Sequence, residues 1–77
     1  MKKIEVLGTG CPKCKKLYER VTTVVDQNGI DADVIKVEDI QKIVASGVML
    51  TPALVVDGVV KSSGKIPSES EVADLIG

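Results

Sequence analysis

Seven residues, Gly8-Thr9-Gly10-Cys11-Pro12-Lys13-Cys14, decide what this chain can fold into. They join an alternating apolar run, Lys3-Ile4-Glu5-Val6-Leu7, to a segment in which Cys14, Leu17, Tyr18, Val21, Val24 and Val25 recur at steps of three and four. The first pattern is that of a strand, with Ile4 and Val6 on one face and Glu5 on the other. The second is a single buried helical stripe that begins at Cys14. Pro12 suits the first position of a helix, where its missing N–H removes no intrahelical bond, and this places Cys11 at the N-cap. The glycines at 8 and 10 permit a tight turn and leave the cysteines uncrowded.

A Cys-x-x-Cys pair at a strand-to-helix turn reads as a redox dithiol. The nucleophile is the thiolate, and a free cysteine with a pKa of about 8.5 is mostly protonated at neutral pH. Unpaired N–H groups at a helix start favour the anion on Cys11, and Lys13, Lys15 and Lys16 add positive charge nearby. Cys14, one turn inside, is shielded from bulk substrate. That asymmetry supplies an attacking and a resolving thiol. A disulfide closing so short a loop contributes little stability, so stapling does not explain the pair. Structural zinc takes four ligands, and a chain with two cysteines and no histidine offers half a site.

The rest of the chain reads in order. Asn28-Gly29 ends the first helix. Residues 31–37 alternate as a second strand. A short helix over about 39–46 places Ile40, Ile43 and Val44 on one face, and Gly47 stops it. Asp57-Gly58 between residues 53–56 and 59–62 is a two-residue hairpin signal. Ser68-x-x-Glu71 is a capping box opening a last helix, with Val72, Leu75 and Ile76 facing inward. The element string is βαβαββα, with the first two strands parallel and the last two an antiparallel hairpin.

Length and composition bound the partners. With 77 residues the expectation is one small domain over residues 1–77. Its core is aliphatic, because Trp and Phe are absent and Tyr18 is the one aromatic residue. A net charge of −1 provides no global field for nucleic acid or membrane. No apolar run approaches the roughly 20 residues of a membrane span. The apolar segment after Met1-Lys2-Lys3 is too short for a signal peptide. The expected location is the cytoplasm, where a lone cysteine pair is catalytic or metal-binding more often than structural.

Cys11-Pro12-Lys13-Cys14, Thr51-Pro52 ahead of the hairpin and Gly64 after it together resemble the thioredoxin-like fold. The nearest resemblance is to the very small archaeal and bacterial thioredoxin-like proteins, also called redox-active disulfide proteins, and it covers nearly the whole chain. It implies an α/β architecture with a four-stranded mixed sheet flanked by three helices. It implies a protein-disulfide oxidoreductase in which Cys11 attacks and Cys14 resolves. Pro52 would be the cis-proline beside the dithiol, leaving the backbone of Thr51 to pair with a peptide strand. With Gly10 and Gly64 these residues would border the substrate groove. Glu5 falls, without gaps, on the buried carboxylate that relays the proton of the resolving cysteine; its other reading is a solvated strand glutamate. Gly64 is otherwise a plain loop glycine, and Pro52 an ordinary proline opening an edge strand.

The partners so implied are disulfide-containing client proteins and a thioredoxin-reductase-like flavoprotein, with the chain a monomer. The electrons stay on two sulfurs, so neither a cofactor nor a metal is required. The chain departs from full thioredoxins in several places. Gly10 stands where they carry Trp, Pro12-Lys13 replaces Gly-Pro, and the N-terminal strand–helix extension is missing. The Pro-x order is closer to glutaredoxins, without a convincing basic set for glutathione. A carrier of a soft metal or metalloid is the alternative reading, since thiolates take soft cations readily.

Overall fold

The computed structural model describes residues 2–10, 12–48 and 50–76. The elements are β1 (Lys2–Leu7), α1 (Pro12–Gln27), β2 (Ala32–Val37), α2 (Ile40–Ala45), β3 (Ala53–Val56), β4 (Val59–Ser63) and α3 (Glu69–Ile76). The strands form one mixed sheet in the order β2-β1-β3-β4. β1 runs parallel to β2 and antiparallel to β3, and β3 and β4 are an antiparallel hairpin. This is the α/β arrangement the residue pattern predicts.

Local chemistry sets the boundaries. α1 ends in a left-handed Gly29 (φ 60°). Ile30 N–H donates to Val25 C=O at 3.0 Å and Gly29 N–H to Asp26 C=O at 3.3 Å, the paired bonds of a Schellman stop. Asp57 (φ 50°) and Gly58 (φ 83°) both have positive φ, as a type I′ hairpin turn requires. The Asp57 carboxylate also accepts from Lys3 N–H at 2.9 Å, which ties the hairpin tip to β1. At α3 the capping box forms: Glu71 N–H donates to Ser68 Oγ at 3.2 Å, and Ser68 N–H to Glu71 Oε1 at 3.3 Å. Arg20 of α1 donates to Pro67 C=O at 2.9 Å and holds the approach to α3.

Strand alternation sorts the core into two layers. Ile4, Val6, Leu54 and Val56 meet Leu17, Val21 and Val24 of α1 and Val72 and Ile76 of α3. On the opposite face Leu7, Ala53 and Val55 meet Ile43 and Val48. The two layers are unequal. α2 has six residues and puts Ile43 against its face of the sheet, with Leu7, Val48, Ala53 and Val55. Of its three large apolar residues Ile43 is buried, while Ile40 and Val44 are 63% and 69% exposed. Glu5, flanked by Ile35 on β2 and Val55 on β3, is on the half-covered face and is partly exposed.

Ser62 is the buried polar residue of the sheet, opposite Leu54. Its hydroxyl is buried with no hydrogen-bond partner among the described residues. A desolvated, unsatisfied hydroxyl costs about 1–3 kcal/mol. Ser62→Ala is therefore expected to stabilise the fold by about 1 kcal/mol and raise Tm by about 4–8 °C in thermal unfolding. A lowered Tm would show that the hydroxyl is satisfied in solution.

Candidate functional site

Because β1 and β2 are parallel, their C-terminal ends lie side by side. Gly8 N–H continues the ladder past Leu7 by donating to Val37 C=O at 2.9 Å. Gly10 then takes φ 88°, a conformation that glycine adopts without steric cost. α1 starts at Pro12. Cys11, the expected nucleophile, lies outside the described residues. Pro12 and Lys13 are exposed, and so are Lys15 and Lys16.

Cys14 is 5% exposed in the first turn of α1. It sits against Gly8 so closely that a Cβ built on that glycine would lie 2.2 Å from Sγ and 2.8 Å from the Cys14 Cβ. The absence of a side chain at position 8 is thus what makes room for the sulfur. Spacing signals a glycine in a turn here, but the contact is a tertiary fact.

The antiparallel register of β1 and β3 pairs Leu7 with Ala53, so one step further on Pro52 comes alongside Gly8. β4 pairs Ser63 with Ala53, which brings Gly64 to the same edge of the sheet. The sheet therefore gathers Gly8, Gly10, Thr51, Pro52 and Gly64 around the start of α1. The Thr51–Pro52 peptide bond is cis, with Pro52 buried and Thr51 exposed. Ser63 Oγ donates to Leu50 C=O at 3.0 Å and Gly64 N–H to Pro52 C=O at 2.9 Å. Those bonds occupy the carbonyls on either side of Thr51. Thr51's own backbone groups make no hydrogen bond among the described residues. Gly64 has φ 77°, and the space a side chain there would fill is taken by Leu50, 2.9 Å from the Cβ position.

Glu5 shares a face with Leu7, whereas α1, which carries Cys14, packs on the face of Ile4 and Val6. The sheet does not bring Glu5 to the α1 side. Glu38, which spacing does not single out, follows β2 directly, and its Oε2 would lie 3.0 Å from a Cβ on Gly10. The signal was available: residues that follow two parallel neighbouring strands must meet at one edge of the sheet.

Comparison with known proteins agrees with this geometry. Residues 2–77 match the family model described as Thioredoxin domain. A protein named Thioredoxin from Methanocaldococcus jannaschii is 45% identical over 71 residues, covering 92% of this chain and 81% of the relative. A Thioredoxin from Methanothermobacter thermautotrophicus is 34% identical over 76 residues, covering 99% of each. The chain belongs to the thioredoxin family. As a thioredoxin-family protein it is, in the general sense, a thiol–disulfide oxidoreductase. No helix among the described residues is long and apolar enough to cross a membrane.

Proposed function

We propose that this thioredoxin-family protein reduces the disulfides of client proteins through Cys11 and Cys14. The observation that carries the reading is Cys14, buried in the first turn of α1 against a glycine that leaves room for its sulfur alone. A shielded thiol three residues after a cysteine that immediately precedes a helix suits the resolving role.

The Cys11 thiolate attacks one sulfur of a client disulfide. The client S–S bond breaks, a mixed disulfide forms at Cys11, and the first client sulfur leaves as thiolate. Cys14 then gives up its proton, through solvent, to the client thiolate released first, and attacks the Cys11 sulfur, breaking the mixed disulfide and releasing the second client thiolate. The client has gained two electrons, and the chain holds them no longer: Cys11 and Cys14 are joined. A thioredoxin-reductase-like flavoprotein returns the chain to the dithiol form. Lys13 and the start of α1 favour the Cys11 thiolate.

Exposed Thr51, whose backbone groups beside Pro52 make no hydrogen bond among the described residues, offers an extended client segment a place to pair. Gly10 and Gly64 line the approach. The protein works as a monomeric single domain in the cytoplasm. Glu5 is assigned no step in this scheme, its reading here being that of a strand glutamate.

The test is stoichiometric. The reduced protein is mixed with a disulfide-bonded peptide, and thiols are counted on both. Each peptide disulfide lost should leave one Cys11–Cys14 disulfide. Glu5→Gln should match the wild-type rate, and neither Cys11→Ser nor Cys14→Ser should turn over. An intact peptide, or turnover by Cys14→Ser, overturns the reading.

A further inference from the structure

We infer that Glu38 selects clients by charge, favouring disulfides flanked by cationic residues over those flanked by anionic ones; this rests on the disulfide-reductase reading above. Two consecutive acids follow β2, and they have different fates. Asp39 is spent on folding: its carboxylate accepts from Gln41 N–H at 2.9 Å and caps α2. Glu38 is exposed, and its carboxylate enters no hydrogen bond or ion pair among the described residues. Its Oε2 nevertheless lies at the redox turn, 3.0 Å from where a Cβ on Gly10 would be. Gly10 is covalently next to Cys11. The carboxylate is therefore within about 5 Å of the Cα of the residue that precedes Cys11 in the chain.

That is inside the Debye length of about 8–10 Å at ordinary ionic strength, so the charge is felt by whatever approaches the nucleophile. Besides Asp39, the charged groups next to the turn in the chain are Lys13, Lys15 and Lys16 on α1, exposed on the helix. Lys36 of β2 is engaged elsewhere, its Nζ 4.8 Å from the Tyr18 ring centre. The mouth of the turn is thus acidic on its β2 side and basic on its α1 side. A client lying across it is read by both, and Glu38 is the anionic half.

The experiment compares initial rates of reduction of cystamine, hydroxyethyl disulfide and dithiodiglycolate, which are cationic, neutral and anionic. Wild type, Glu38→Gln and Glu38→Lys are assayed at low and high salt. The neutral compound is the reference for each protein and tests the underlying reading by itself: if wild type leaves it unreduced, the reductase reading fails. The cystamine-to-dithiodiglycolate rate ratio tests Glu38. Relative to wild type it should fall by about threefold to tenfold at low salt in Glu38→Gln and further in Glu38→Lys, as expected for a unit charge at this range in high dielectric. The difference should shrink at high salt. A ratio that is the same in all three proteins at low salt overturns the inference, as does a change that persists unaltered at high salt.

Discussion

Gly8→Ala is expected to lower Tm by about 5–20 °C and to slow formation of the intramolecular disulfide, an effect out of proportion to one methyl group. The added carbon would lie 2.2 Å from Cys14 Sγ and 2.8 Å from Cys14 Cβ, far inside ordinary contact distance. Neither partner can retreat cheaply. Gly8 is pinned to β2 through its N–H bond to Val37 C=O. Cys14 belongs to a helix fixed by Leu17, Val21 and Val24, all fully buried. Overpacking of this kind costs about 1–3 kcal/mol. Gly8 is not among the glycines with positive φ, so the strain comes from the contact and not from the backbone. The double variant Gly8→Ala/Cys14→Ala should therefore lose less than the sum of the single changes, because removing Sγ relieves the shorter contact. Additive losses, or a Gly8→Ala protein with the wild-type Tm, would show that the sulfur does not sit where the structure puts it.

Leu17→Ala should remove a large share of the protein's stability. Leu17 is fully buried between the sheet and α3, in the layer that contains Ile4, Val6, Leu54 and Val72. Truncating such a leucine costs about 2–5 kcal/mol, the spread depending on how far the site collapses. A chain of 77 residues has about 4–12 kcal/mol of stability in total. The core contains no aromatic ring to close the void, Tyr18 being only partly buried at its margin. Urea titration should show a midpoint reduced by a third or more. A midpoint within a tenth of wild type would mean that this layer contributes less than its burial implies. By contrast, Ile40→Ala and Val44→Ala on α2 touch exposed side chains and serve as controls.

That contrast marks where the residue pattern could be read and where it could not. Helix α1 was legible because its stripe, its Pro12 start and its Asn28-Gly29 stop agree, and the hairpin because Asp57-Gly58 has the backbone freedom a type I′ turn demands. The capping box of α3 was legible for the same reason: each is a local interaction. The burial of α2 was not. Ile40, Ile43 and Val44 share a helical face, but a six-residue helix meets the sheet over a small area, and only Ile43 reaches it. Glu5 shows the same limit. Its place in the central strand followed from the order of elements, while its environment depends on how far α2 extends across the sheet.

The candidate site divides similarly. Cys14, Thr51, Pro52 and Gly64 were marked by spacing and resemblance, and the register of β1, β3 and β4 brings the glycine and the Thr-Pro pair to the edge where α1 begins. The steric reason for Gly8 and the position of Glu38 arise from contacts between segments far apart in sequence. Both become visible only when the strand ends are set next to one another.

The most direct test of the exchange mechanism asks which sulfur carries the client. Reduced Cys14→Ser protein is mixed with a disulfide-bonded peptide, quenched with acid, and its adducts are mapped by mass spectrometry without reductant. The mechanism predicts a persistent mixed disulfide on Cys11, no adduct on Cys14 in the Cys11→Ser protein on the same timescale, and release of the peptide from Cys11 when Cys14 is present. An adduct that forms on Cys14 as readily as on Cys11, or a Cys11 adduct that is released as fast without Cys14 as with it, would contradict the account.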